Sequence, residues 1–132
     1  MNIEALESRW LLAFPEIDLG FGQGGIAALP TDTGDFKLVH QLDNGKIVAV
    51  GNAGDKLLVA RFASDGSADT SFDGDGKLLV DAGSSGYAYA IDAALTPEGK
   101  ILLLFSSGAK QLYRFNADGT LDTTFGSNGA IS

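Results

Sequence analysis

The chain contains no cysteine, which excludes a disulfide scaffold, thiol catalysis and any Cys-ligated zinc site. It has one histidine, His40, one methionine and one tryptophan in 132 residues. A multi-histidine metal centre and a pair of catalytic histidines are excluded with them. Basic residues are scarce: nine Lys and Arg face seventeen Asp and Glu, a formal net charge of −8. Phosphate backbones are gripped by a basic stripe, so no nucleic-acid partner is expected. No clean apolar run is longer than that at residues 101–105, far short of the roughly 20 needed for a membrane helix. No membrane insertion is expected.

Glycine is what the chain has in excess, 18 of 132 residues, about twice the usual ~7 %. Hydrophobic content is an ordinary 45 %, and the length suits one domain. Beyond residue 17 there are thirteen Asp but only one Glu, Glu98. Asp bonds nearby backbone N–H groups in turns, whereas Glu favours helices. This composition predicts many tight turns between strands.

Residues 1–17 read as an N-terminal arm or short helix. Asn2 can cap it, Ile3, Leu6 and Trp10 fall at helical spacing, and Pro15 ends it. No basic segment opens the chain, so it does not read as a plain secretory signal. Residues 18–132 read as a repeat domain. Arg61-Phe-Ala-Ser-Asp-Gly-Ser-Ala-Asp-Thr-Ser-Phe72 aligns with Arg114-Phe-Asn-Ala-Asp-Gly-Thr-Leu-Asp-Thr-Thr-Phe125, identical at seven of twelve positions. The end of this block occurs three times with one spacing: Asp18, Phe21, Gly25; Asp69, Phe72, Gly76; Asp122, Phe125, Gly129. Asp18 to Asp69 is a step of 51 residues and Asp69 to Asp122 one of 53. A second block, Gly-Lys-Ile, recurs at Gly45 and Gly99, a step of 54. Such steps mark an internal repeat.

Each unit reads as a meander of about four strands. The first unit takes residues 25–29, 36–42, 46–50 and 57–62, and the second takes 77–80, 87–95, 100–105 and 111–115. Asn44-Gly45 and Pro97-Glu98-Gly99 supply hairpin turns, and Asp65-Gly66 and Asp118-Gly119 reverse the chain. The expected fold is all-β, with four-stranded antiparallel blades of the β-propeller type. Unit boundaries fall near 18–68 and 69–121, with a partial third unit at 122–132.

The segments Ala117-Asp-Gly-Thr-Leu-Asp-Thr-Thr-Phe-Gly126 and Pro97-Glu-Gly-Lys-Ile101 resemble the delta-sixty repeat family of bacterial proteins. The resemblance covers nearly everything after residue 17. It implies propeller-like blades and carries no single activity. Two departures stand out: the first unit lacks the Tyr-Ala-x-Ala stretch at Tyr87 to Ala90, and typical members carry many more repeats. Leu6-Glu-Ser-Arg-Trp-Leu-Leu-Ala13 resembles an N-terminal motif of large bacterial surface proteins. An extracellular or cell-surface location is the expectation on that ground, with the cytoplasm as the alternative.

Propellers usually close with four to eight blades, so two blades leave apolar faces unmatched. Three outcomes are open: a closed ring of copies, a fragment of a longer protein, or two units packed face to face as a sandwich. In the first, homo-oligomerisation runs through the blade faces and the terminal strand, with residues 122–132 as a ring-closing clasp on a neighbour.

The candidate motifs have plainer readings beside functional ones. Asp69 and Asp122 read as turn carboxylates pairing with Arg61 and Arg114; the alternative is calcium, from partial loops at Asn116-x-Asp118 and Asp73-x-Asp75. Phe21, Phe72 and Phe125, with Phe62 and Phe115, read as core between blades rather than as a sugar platform. Tyr87 and Tyr89 share one strand face and read as packing against the next blade, with an exposed binding surface as the alternative. His40 has Asp35, Ser84 and Ser85 as theoretical companions, but no spacing ties them into a catalytic set. Gly20-x-Gly22-x-Gly24-Gly25 lacks the Lys-Ser/Thr of a phosphate loop and reads as a strand-entry turn.

The functional expectation is a non-catalytic structural or protein-interaction module without a cofactor, built from the motif Asp18, Phe21, Gly25, Arg61, Asp69, Phe72, Gly76, Arg114, Asp122, Phe125 and Gly129. The alternative is a lectin-like or calcium-dependent ligand-binding propeller, with a glycan or protein ligand.

Overall fold

The computed structural model describes residues 16–29, 34–82 and 87–132. The helix or arm expected at the N-terminus falls almost wholly on residues 1–15, outside the described residues, as do Ser84 and Ser85. Every regular element among the described residues is a strand. The first sheet holds β1 (Asp35–Gln41), β2 (Ile47–Ala53), β3 (Lys56–Phe62) and β4 (Lys77–Val80), in that order. The second holds β5 (Tyr89–Leu95), β6 (Ile101–Ser106), β7 (Lys110–Phe115) and β8 (Ala130–Ile131), also in that order. All pairings within the named sheets are antiparallel. These are the four-stranded, propeller-type blades read from the repeat.

The turns act where the sequence places them. The Gly45 amide donates to the Leu42 carbonyl at 2.9 Å and the Gly99 amide to the Thr96 carbonyl at 2.8 Å, each glycine at positive φ. The repeat extends to an irregularity: β1 slips register between Phe36 and Leu38, and β5 slips at the matching place, between Ala90 and Asp92.

The strands are grouped differently from the sequence units. Residues 77–80, read as opening the second unit, pair with β3 through Leu57–Val80, Leu58–Leu79, Val59–Leu78 and Ala60–Lys77, and close the first sheet. Two successive turns, at Asp65-Gly66 and at Asp69 to Phe72, fold the chain back antiparallel onto the strand it has just left. The sheets therefore occupy 35–80 and 89–131. The segment expected to clasp a neighbour, 122–132, instead supplies β8 of its own second sheet, pairing Leu112 with Ile131 and Tyr113 with Ala130. Among the described residues, the copy without a sheet of its own is the first, residues 18–29, which forms isolated bridges around Ile26.

The two sheets stack, and the main core lies between them. Val48, Val50, Leu57, Val59 and Phe72 from the first meet Ala93, Ile101, Leu103, Phe105 and Phe115 from the second. On the opposite face of the first sheet, Ala49, Ala60 and Phe62 are covered by Ala27 and Leu29 of the surplus segment. That double cover makes β2 and β3 almost continuously buried, whereas β6 alternates buried and half-buried residues. Burial on two faces rather than one is the cause.

Candidate functional site

The repeat motif assembles into one polar node per sheet. In the first sheet the Asp69 carboxylate accepts from Arg61 Nε at 2.7 Å, Lys46 Nζ at 2.8 Å and the Ser71 hydroxyl at 2.6 Å. The Arg61 guanidinium lies over the Phe72 ring, 5.0 Å from its centroid. In the second sheet Asp122 accepts from Arg114 Nε at 2.7 Å, Lys100 Nζ at 2.7 Å and the Thr124 hydroxyl at 2.6 Å, with Arg114 over Phe125 at 4.5 Å. Arg, Lys, Asp and Phe are thus one unit: the guanidinium is held edge-on by a carboxylate and face-on by a ring. The sequence pointed to Arg, Asp and Phe. It missed Lys46 and Lys100, although both belong to the repeated Gly-Lys-Ile block and the repetition was the signal.

The electrostatics follow. Burial alone would raise the Asp69 carboxyl, but the Lys46 ammonium, the Ser71 hydroxyl and amide and the Arg61 charge outweigh it and hold it well below the ordinary carboxylate range. Lys100 and the Thr124 hydroxyl do the same for Asp122. Both carboxylates are occupied by cations of the chain itself, which favours the structural reading over calcium ligation. Asp118 accepts from the Thr120 amide at 2.9 Å and hydroxyl at 2.6 Å, a local turn bond.

The first node also crosses between sheets. Arg61 Nη1 donates to the Ala117 carbonyl, and the Asp73 amide donates to the Asp118 carbonyl at 2.8 Å. Gly119 lies at this joint with φ of 95°, and a Cβ there would stand 3.2 Å from the Asp73 amide nitrogen. The surplus segment reproduces the joint on the far side of the first sheet. The Gly22 amide donates to the Asp65 carbonyl at 2.6 Å, and a Cβ on Gly66 would come within 2.6 Å of the Gly22 nitrogen. Residues 18–29 therefore sit against the first sheet as residues 69–80 sit against the second.

Among the described residues, no such segment covers the outer face of the second sheet. Phe72 is fully buried, but its counterpart Phe125 is half-buried. Val48, Val50 and Val59 are buried, but their counterparts Leu102, Leu104 and Leu112 are half-buried. Leu78 packs on the core, but its counterpart Ile131 is 48 % exposed. The Arg61 side chain is 8 % exposed and that of Arg114 26 %. Arg114 keeps its Asp and its Phe, while its terminal nitrogens find no hydrogen-bond partner among the described residues.

Other candidates disperse. Tyr87 and Tyr89 do not pack on a blade; they are 86 % and 57 % exposed, because the neighbouring Ala88 and Ala90 take the core-facing positions of this edge. The Nε2 atom of His40 is buried without a partner, and Asp35 pairs with Lys37 at 3.7 Å, so the structure builds no catalytic set from them. The glycines at 20–25 form the turn that meets Asp65, not a phosphate cradle. Among the described residues the Asp18 carboxylate, unlike its counterparts, accepts only from the nearby Gly20 amide, at 2.9 Å. A cleft of about 730 Å³ opens at the hairpin ends of the two sheets, between Asn44, Lys46, Arg61 and Ser71 on one side and Thr96, Glu98 and Asp118 on the other. Its cations Lys46 and Arg61 are already bound to Asp69.

A family model described as "Domain of unknown function (DUF5122) beta-propeller" matches residues 42–72 and 97–125. Each match runs from a hairpin turn through two strands to the node phenylalanine, Phe72 or Phe125. The match supports a β-propeller repeat family. No curated protein and no solved structure gives a significant match to the chain.

Proposed function

We propose that the chain is a non-catalytic propeller module with a structural or protein-interaction role, and that its copies join head to tail into a closed propeller. The observation that carries this reading is the unequal cover of equivalent faces. The face buried between the sheets in the first blade is left half-exposed, and apolar, in the second.

A second copy suits that face. The internal joint sets Val48, Val50 and Val59 against Leu103, Phe105 and Tyr113. A joint between copies would set Leu102, Leu104 and Leu112 against the matching positions Ala49, Gly51 and Ala60. One side grows by methylenes where the other shrinks, as complementary packing requires. Arg114 would then reach the Ser64 carbonyl of the second copy, as Arg61 reaches that of Ala117. Such a contact is heterologous and closes only as a ring. The test is solution mass by light scattering across a range of concentrations. A single species at two or three times 13.7 kDa is expected, giving four or six blades. A 13.7 kDa monomer at every concentration overturns the reading.

The delta-sixty repeat assignment and a bacterial cell-surface location belong to the same proposal, supported by the segments at 97–101 and 117–126 and by residues 6–13. A second reading, a glycan-binding propeller, is favoured by the exposed pair Tyr87 and Tyr89. It predicts binding on a glycan array that Tyr89→Ala abolishes, and an array blank with the wild-type chain removes it.

A further inference from the structure

We infer that residues 18–29 form the fourth strand of a neighbouring copy's second sheet, displacing that copy's own residues 122–131. The inference rests on the head-to-tail reading and names the segment that closes the joint.

Three observations carry it. The first is position. Residues 18–29 lie on the first sheet as residues 69–80 lie on the second, with the Gly22–Asp65 bond matching the Asp73–Asp118 bond and Ala27 and Leu29 taking the places of Leu78 and Val80. If a neighbour's second sheet docks on this face as the first sheet docks on the second, its fourth strand falls where residues 26–29 already are. Two segments cannot share that place. Residues 26–29 need not move; the neighbour's β8 must leave.

The second is strand pairing. β8 pairs with β7 through Leu112–Ile131 and Tyr113–Ala130, the register that β4 keeps with β3 at Val59–Leu78 and Ala60–Lys77. By the register of β3 and β4, the neighbour's strand would pair Ile26 with Tyr113, Ala27 with Leu112, Ala28 with Gln111 and Leu29 with Lys110. The segment thus carries the register by which β4 sits on β3.

The third is charge. Asp18 and Phe21 keep the spacing of the node, but the described residues give Asp18 no cation, because the strand and hairpin that supply Arg and Lys to the other nodes belong to the same sheet as the carboxylate. In the exchanged position Asp18 replaces Asp122 between the neighbour's Arg114 and Lys100, and Phe21 replaces Phe125 beneath that Arg114. The motif that Asp18 and Phe21 keep thus matches what the neighbour's Arg114 and Lys100 hold once residues 122–131 leave.

The parent chain has no cysteine, so cross-links report the pairing directly. Ala28→Cys and Gln111→Cys chains, mixed and oxidised, should give a disulfide heterodimer in severalfold excess over the homodimer that either gives alone. In a Leu112→Cys, Ile131→Cys chain, oxidised at a dilution where it is monomeric, β8 is tied to β7. On concentration it should stay at 13.7 kDa and assemble only after reduction. Asp18→Asn should lose assembly while keeping the wild-type monomer melting temperature, since Asp18 is exposed and among the described residues its side chain bonds only to Gly20. If the wild-type chain assembles but the tied chain assembles equally, or the mixture gives no excess of heterodimer, the strand exchange is wrong and the head-to-tail reading stands. A wild-type chain that never leaves the monomer overturns both.

Discussion

The carboxylate of Asp69 is held by Arg61, Lys46 and Ser71 at once, and its side chain is 9 % exposed. Removing that charge strands a guanidinium whose side chain is 8 % exposed, so Asp69→Asn should destabilise the fold by about 3 kcal/mol in urea unfolding. The pH dependence follows in sign. Asp69 and Asp122 are held below their ordinary values, so the ionised form binds the folded state more tightly. Their contribution is complete above the unfolded carboxylate pKa of about 4 and is lost as pH falls below it. The melting temperature of the wild type should drop between about pH 5 and pH 2, and its advantage over Asp69→Asn should narrow across that window. An advantage that holds constant would show that the node carries no ionisation-linked stability. The pairing of Arg61 with Asp69 was legible, because both recur at a fixed offset. The bond from Arg61 to the Ala117 carbonyl was not, since it spans 56 residues and depends on how one blade meets the next.

Most strands of the two sheets were legible, although residues 25–29, read as a strand, form isolated bridges, and β2 runs three residues past its expected end. β4 covers the expected residues 77–80, and β3, β6 and β7 begin or end within one residue of expectation. Alternation and turn chemistry are local, and strands separated by tight turns follow from them. Which strand pairs with which is less local, and there residues 77–80 joined the preceding sheet and not the following one. The two faces of β6 give a direct test of the packing. Leu103 is fully buried between the sheets, so Leu103→Ala should cost about 3 kcal/mol. Leu102, its neighbour on the outer face, is half-buried, and Leu102→Ala should cost the monomer under about 1 kcal/mol. Chemical denaturation of the two variants at a concentration that keeps the chain monomeric would reveal the difference. Equal losses would mean that the outer face of the second sheet is covered after all.

At the scale of the molecule, stacking two blades buries one face of each and leaves the outer face of the second half-exposed among the described residues. A charge placed on that face separates assembly from folding. Leu104→Glu should leave the monomer's melting temperature within a few degrees of wild type and hold the chain at 13.7 kDa by light scattering. Retention of a larger species would mean that copies do not meet through this face. The sequence by itself determined the all-β class, the period, the turns and the residues of the node, because each is written in short-range spacing. It also showed that the Asp-x-x-Phe segment occurs three times and the rest of the unit twice. Only the tertiary structure decided which copy lacks a sheet. Residues 122–131 return onto β7, while residues 18–29 join no strand among the described residues and lie across the face of the first blade. The reason is physical: a strand segment carries the same local pattern wherever it pairs, and its partner is chosen by the edge and the apolar face within its reach.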